Sequence, residues 1–160
     1  MTDTATRGSV FSRRNALWAI VIVGAGVVGS RALLSRPNFD GQALGVAEAH
    51  KLAGRGDIVL IDIRRPDEWK RTGIGEGAHA IDMRRDDFIE AMTAVAGDDK
   101  TAPVALICAA GVRSARLSRR LTEAGYSNII DVPEGMLGSS AGPGWVRSGL
   151  PTRAFEGSNA

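Results

Sequence analysis

A single cysteine, Cys108, closes the apolar run Pro103-Val104-Ala105-Leu106-Ile107-Cys108, and the residues after it, Ala109-Ala110-Gly111-Val112-Arg113-Ser114, lead into a helical pattern. A thiol at a strand-to-helix junction is placed for nucleophilic chemistry. Four residues separate Cys108 from Arg113, and one of them, Gly111, relieves a tight bend. Several backbone N–H groups can then curl toward the sulfur, forming an anion-holding nest at a helix N-terminus that favours thiolate over thiol. Arg113 adds a fixed positive charge, and Ser114 is expected to cap the new helix. A cysteine ending an apolar strand can equally be a small buried hydrophobe, but a purely structural thiol needs neither the bend, the cation nor the cap.

Other cysteine chemistries lack their partners. A hydrolase would place a histidine beside the thiol, and the two histidines, His50 in a helical stretch and His79 near a short strand, read as ordinary surface or packing residues. A disulfide oxidoreductase needs a second cysteine, and a zinc site needs more Cys and His ligands than this chain offers. No cofactor or metal is expected.

The chain resembles the rhodanese-like sulfurtransferases. Their loop pattern, C-x-x-G-x-R followed by Ser or Thr, is met at Cys108, Gly111, Arg113 and Ser114, and their Asp-x-Arg after a first apolar strand at Asp62-Ile63-Arg64, followed by Pro66-Asp67-Glu68-Trp69. The tail is similar too, with Gly135-Met136 and then Gly144-Trp145-Val146-Arg147-Ser148-Gly149-Leu150-Pro151. The resemblance covers residues 40 to 155 and implies a three-layer α/β fold with an active loop between a central strand and the next helix. It implies Cys108 as the catalytic residue, with Ala109, Ala110, Gly111, Val112, Arg113 and Ser114 holding the substrate, and Asp62 and Arg64 as loop support. Sulfur transfer follows as double displacement: the thiolate takes a sulfane sulfur from thiosulfate, polysulfide or a persulfide, then yields it to cyanide or a thiol, a protein thiol included. The alternative is a binding or regulatory module on the same fold without turnover. Cysteine phosphatases place five residues between Cys and Arg, so the shorter ring here disfavours phosphatase or arsenate reductase activity. In one respect the chain departs from the family: Gly73-Ile74-Gly75-Glu76-Gly77-Ala78 lacks the usual histidine. In addition, Ala109, Ala110 and Val112 bring no cation to a thiosulfate dianion. Arg116, Arg119 and Arg120 read as a solvated helix face that could steer anions.

The elements that must position this loop alternate between strand and helix, which argues for a mostly parallel sheet covered on both faces. Val46 to Ala53 reads as a helix with Glu48 at capping distance from Gly45, Ile58 to Asp62 as a buried strand, and Pro66 followed by two acids as a helix start. Gly73 to Gly77 reads as loop, Ala78 to Ile81 as a short strand, Asp86 to Val95 as a helix and Val104 to Cys108 as a second apolar strand. Ser114, Leu117, Leu121 and Ala124 share one helical face, Gly125 stops that helix, and Asn128 to Asp131 is the last strand. Ligands of such a sheet bind at the carboxyl ends of its strands, where Cys108 and Asp62-Ile63-Arg64 both fall.

At 44% apolar and 24% charged, the 160-residue chain has an ordinary globular composition. Its pI of about 9.1 comes from residues 1–36, which carry a net +4 against −2 for residues 37–160, so nucleic-acid binding is excluded. Residues 1–36 read as an export signal: Arg13-Arg14 precedes the apolar run Trp18 to Val23, with a small-x-small site at Ser30-Arg31-Ala32. The paired arginines resemble a twin-arginine signal, although Ala16 and Trp18 stand where that signal usually has Phe and Lys. The expectation is an exported, periplasmic domain at 37–160 that meets the export machinery, or one tethered to the inner membrane. Gly24-Ala25-Gly26-Val27-Val28-Gly29 matches a dinucleotide fingerprint, but Pro37 follows too soon and Phe39 to Val46 supplies no buried strand ending in an acid.

Overall fold

The computed structural model describes residues 39–157; the leader, with its paired arginines, its cleavage site and the Gly24 to Gly29 pattern, lies outside the described residues. In chain order the elements are β1 (Gln42–Ala43), α1 (Val46–Arg55), β2 (Val59–Asp62), α2 (Pro66–Thr72), β3 (Ile74–Gly75), β4 (Ala78–Ala80), α3 (Phe88–Ala96), β5 (Val104–Ile107), α4 (Val112–Glu123), β6 (Ile129–Asp131), α5 (Gly144–Arg147) and β7 (Thr152–Arg153). Five strands form one parallel sheet in the order β1-β6-β5-β2-β4. The expected α/β fold with a parallel sheet between helical layers is therefore present.

β5 lies at the centre of that sheet, and all four of its residues are buried. A strand covered on both faces must be apolar throughout, which is why Val104 to Ile107 carries no polar residue. Alternation along the strands divides the core in two. Leu60, Ala105, Ile107, Ile130 and Val132 pack on one face with Val46 and Ala49 of α1, Trp69 of α2 and Trp145 of α5. Ile61, Ile63, Leu106, Cys108 and Ile129 pack on the other with Phe88 and Met92 of α3 and Leu117 and Leu121 of α4. The helical face read from Leu117 and Leu121 is the one α4 buries.

The segment from Phe39 supplies no buried strand ending in an acid: its strand, β1, is two exposed residues at the sheet edge, paired with β6. Several other local expectations are corrected. Glu48 does not cap α1; the Val46 N–H instead donates to Glu134 Oε1 at 3.1 Å, a carboxylate 88 residues away whose other oxygen accepts from Gly144 N–H at 3.2 Å. The 73–77 loop contains a two-residue strand, β3, which pairs antiparallel with β7. That pairing folds the tail back over the domain. Trp145 becomes fully buried, and its ring lies where a Cβ on Gly75 would stand, at 2.8 Å.

Candidate active site

Cys108 leaves the carboxyl end of β5, and the chain then turns through Ala109 and Ala110 to Gly111, which takes the left-handed conformation (φ 81°, ψ −22°) and forms the N-cap of α4. Only glycine adopts that backbone without strain. A side chain at Gly111 would also overlap the Pro133 carbonyl oxygen, and one at Gly135 would stand 2.6 Å from the Ala109 carbonyl oxygen. The loop is thus clamped against residues 133–137, whose Met136 and Leu137 N–H groups donate to the Cys108 and Ala109 carbonyls at 2.8 and 2.9 Å. With the carbonyls held outward, the N–H groups of Ala109 through Ser114 make no hydrogen bond to any described residue. A row of free donors at the start of a helix is a ready site for an anion.

The thiol lies at the bottom of this turn and is 1% exposed. It packs beside Ile61, Ile63, Leu106 and Leu117, yet it also meets the Arg113 guanidinium, whose proton affinity it helps to raise. Arg113 in turn lines a cavity of about 360 Å³ together with Arg65, Glu68, Met83 and Arg84. Its three guanidinium groups are all ion-paired, Arg113 with Glu68, Arg65 with Asp67 and Glu68, and Arg84 with Asp82. A larger cavity of about 560 Å³, beside His79, Arg153 and Phe155, holds no nucleophile.

Arg113 is held in place by Glu68, which composition alone did not single out. The two form a bidentate pair, Nη1 to Oε2 at 2.8 Å and Nη2 to Oε1 at 2.6 Å, the strongest ion-pair geometry available to these side chains. The hydrogen bonds from Arg113 hold the Glu68 carboxyl down at about 2 against the opposing effect of burial, with help from the Arg65 backbone and the charges of Arg113 and Arg65. Reciprocally, Glu68 raises the affinity of Arg113 for its proton, with Cys108 adding smaller contributions. The sequence signal for Glu68 was present but read differently: as the third residue of α2 it accepts from the Arg65 N–H at 3.1 Å in a capping box.

Two expected roles change on this evidence. Ser114 does not cap α4, because Gly111 is the cap; Ser114 sits a turn inside, fully buried, and its hydroxyl donates back to the Gly111 carbonyl at 3.0 Å. It braces the loop from beneath and is not on its open side. Asp62 and Arg64 are buried, but Asp62 alternates between Ile61 and Ile63, which belong to the Cys108 side of the sheet, and so points to the opposite face. Their fork, Arg64 Nε to Asp62 Oδ1 at 2.9 Å and Nη2 to Oδ2 at 2.6 Å, continues to Thr72 Oγ1 and the Gly73 carbonyl, both at 2.7 Å. They anchor the C-terminal end of α2. Any support they lend the loop passes through α2 and Glu68 to Arg113. The remaining expected residues, Ala109, Ala110, Gly111 and Val112, do form the turn, and Val112 is 61% exposed beside it. Arg119 and Arg120 lie elsewhere, lining separate cavities near β1 and α3. The arginines that share a cavity with Arg113 are Arg65 and Arg84.

Comparison with known proteins bears on this geometry. The model of the rhodanese-like domain matches residues 45–141, a span holding the cysteine loop, both halves of the Glu68–Arg113 pair and the Asp62–Arg64 fork. No curated protein matches. Among solved structures, the polysulfide-sulfur transferase homodimer from Wolinella succinogenes is 26% identical with a TM-score of 0.56, covering 88% of this chain and 93% of its own. The rhodanese-like domain of an Anabaena sp. protein superposes with a TM-score of 0.56 at 15% identity over 75% of this chain and 86% of its own. A Rhodopseudomonas palustris protein of unknown function, described as a possible tyrosine phosphatase, gives 0.52 at 21% identity over 96% of this chain and 99% of its own. These last two share the fold alone. With the family match spanning most of the described residues, and with the loop, the cap and the sheet order all in place, the chain belongs to the rhodanese-like domain family.

Proposed function

We propose that the protein is a sulfurtransferase that carries one sulfur atom on Cys108. In the first half-reaction the Cys108 thiolate attacks the outer sulfur of a donor. The bond between that sulfur and the rest of the donor breaks with its electron pair, leaving Cys108 as a persulfide anion and releasing sulfite from thiosulfate or a shortened chain from polysulfide. In the second, cyanide or a thiolate attacks the outer sulfur and regenerates the Cys108 thiolate. Charge is conserved at each step, and no redox cofactor is consumed. The observation that carries this reading is the run of loop N–H groups from Ala109 to Ser114 with no acceptor among the described residues. Free backbone dipoles next to the cysteine supply stabilisation that both anionic forms, thiolate and persulfide, require.

Arg113, which bears on Cys108, and the free N–H groups of the loop favour an anionic donor, and the kinship with a polysulfide-sulfur transferase supports polysulfide beside thiosulfate. On the acceptor side, Val112 at 61% exposure and Leu137 at 48% flank the loop, an apolar rim suited to a thiol borne on a larger molecule. The paired arginines and apolar run of the leader support a periplasmic site of action, testable by fractionating cells that express the chain with Arg13 and Arg14 replaced by lysine. For the activity, the protein is exposed to polysulfide or thiosulfate and its intact mass recorded. A gain of one sulfur that cyanide reverses, absent in Cys108→Ser, is the expected result. A folded protein that takes up no sulfur from any donor would leave the non-catalytic binding module as the better account.

A further inference from the structure

One buried carboxyl has no part in the chemistry above. Asp131, the last residue of β6, is 2% exposed, and its Oδ1 has no hydrogen-bond partner among the described residues. An orphaned carboxylate oxygen in a packed interior is costly, and a protein retains one rarely. Its position follows from the sheet. Ile129 packs on the Cys108 side while Ile130 and Val132 pack on the other, so Asp131 shares the face of Leu106 and Cys108. The register sets Asp131 beside Leu106, and Cys108 is the next residue of that face along the chain from β5. Ser114 is fully buried on the inner face of α4 and is the side chain whose hydroxyl works to lower the proton affinity of this carboxyl. That hydroxyl has one proton, and in this structure it goes to the Gly111 carbonyl at 3.0 Å.

We propose that Asp131 is a positioning residue for the cysteine loop: its carboxylate competes with the Gly111 carbonyl for the Ser114 proton, and its charge, set beneath the start of α4, opposes an anion on Cys108. Ionised, Asp131 draws the Ser114 hydroxyl away from the turn and weakens the hold of the loop on a negative sulfur. Protonated, it leaves the Ser114–Gly111 bond intact and adds no opposing charge. Burial pushes this carboxyl up to about 6, with Ser114 and the Val132 N–H working in the other direction, so the change falls in a range where the protein can be assayed. Its register neighbours are Leu106 of β5 and Ala43 of β1, Ser114 of α4 bears on it, and the charged group next to Ser114 on α4 is Arg113, whose guanidinium is paired with Glu68. Glu134, the nearest acid along the chain, is turned toward the N–H groups of Val46 and Gly144. Cys108 is the titratable side chain that shares this face of the sheet with it.

The proposal rests on Cys108 being the sulfur nucleophile, but its test does not require sulfur transfer. The rate of iodoacetamide alkylation of Cys108 is measured from pH 4 to 10 in the wild type and in Asp131→Asn. The wild type should show a step near 6 as well as the ionisation of the thiol. Asp131→Asn should lose that step and shift the thiol midpoint down by about half a pH unit, about a threefold gain in thiolate below the midpoint. An unchanged midpoint, or a rate altered by the same factor at every pH, overturns the idea. Should Asp131→Asn not fold, the Asp131 carboxyl is followed by NMR in wild-type protein alkylated with iodoacetate or with iodoacetamide. By linkage the charged adduct should raise the Asp131 midpoint above that of the neutral adduct, and equal midpoints overturn it. A protein that shows this coupling yet accepts no sulfur would defeat the transferase reading alone.

Discussion

Arg113 illustrates how one side chain can be legible in type and misread in role. Its spacing from Cys108 marked it as the cation of the loop, yet both of its terminal nitrogens are spent on Glu68, a residue 45 positions earlier. Its task is to hold a charge at a fixed place beside the sulfur. Two substitutions separate charge from geometry. Arg113→Lys keeps the charge but cannot form the fork, and Glu68→Gln keeps the shape while removing the countercharge. We expect each to lower kcat/KM for sulfur transfer by at least ~10-fold, or about 1.4 kcal/mol of transition-state stabilisation. Glu68→Gln should also cost about 1 to 2 kcal/mol in folding stability once solvent screening is counted. Rates within a factor of two of wild type in both variants would show that the pair is a surface ornament. Cys108 and Gly111 were readable because each obeys a local rule, a nucleophile at a strand end and a glycine where φ is positive. Glu68 showed only its local part at the helix start, because its pairing with Arg113 joins segments 45 positions apart that no spacing in the chain reveals.

At the scale of elements, the apolar strands and the helix that follows Cys108 were legible, with ends that moved by one or two residues. Burial on both faces forces an unbroken apolar run, and α4 writes its buried stripe into Leu117 and Leu121. The short strands β1, β3 and β7 escaped notice for the same reason in reverse. Two residues are too few to leave a periodic trace, whether exposed as in β1 and β7 or buried as in β3, and their partners, β6 for β1 and the returning tail for β3, come from distant segments. Two glycines test how far the α4 cap depends on its surroundings. Gly111 and Gly56 both have positive φ, 81° and 74°, but a side chain at Gly111 would strike Pro133 while nothing lies within 4 Å of one at Gly56. Gly56→Ala should therefore cost about 1 kcal/mol, the backbone penalty alone, and leave sulfur transfer intact. Gly111→Ala should cost more, about 3 kcal/mol with the overlap, and abolish transfer. Equal melting temperatures for the two variants would mean that the loop is not clamped by residues 133–137.

For the molecule as a whole, two buried carboxyls set opposite trends of stability with pH. Glu68 is held at about 2, below its ordinary 4.5, so its contribution is complete above 4.5 and is lost as the pH falls toward 2. Asp131 is raised to about 6 from 3.8. The folded state binds that proton more tightly than the unfolded chain, so Asp131 exacts nothing below 3.8 and its full cost above 6, at most about 3 kcal/mol. The described domain should accordingly be most stable near pH 4 to 5, with urea unfolding showing a decline both toward pH 2 and toward pH 7. A stability that climbs steadily from pH 4 to 7 would contradict the burial of Asp131. The presence of a single cysteine in 160 residues, 1% exposed at the floor of its turn, has a last implication. No neighbouring thiol of the same chain can expel the carried atom as hydrogen sulfide, and a thiol so little exposed disfavours a sulfur–sulfur bond between two copies. Purified protein left in air should stay a single band on a non-reducing gel, its cargo passing to an acceptor whose thiol stands on an arm long enough to reach the sulfur.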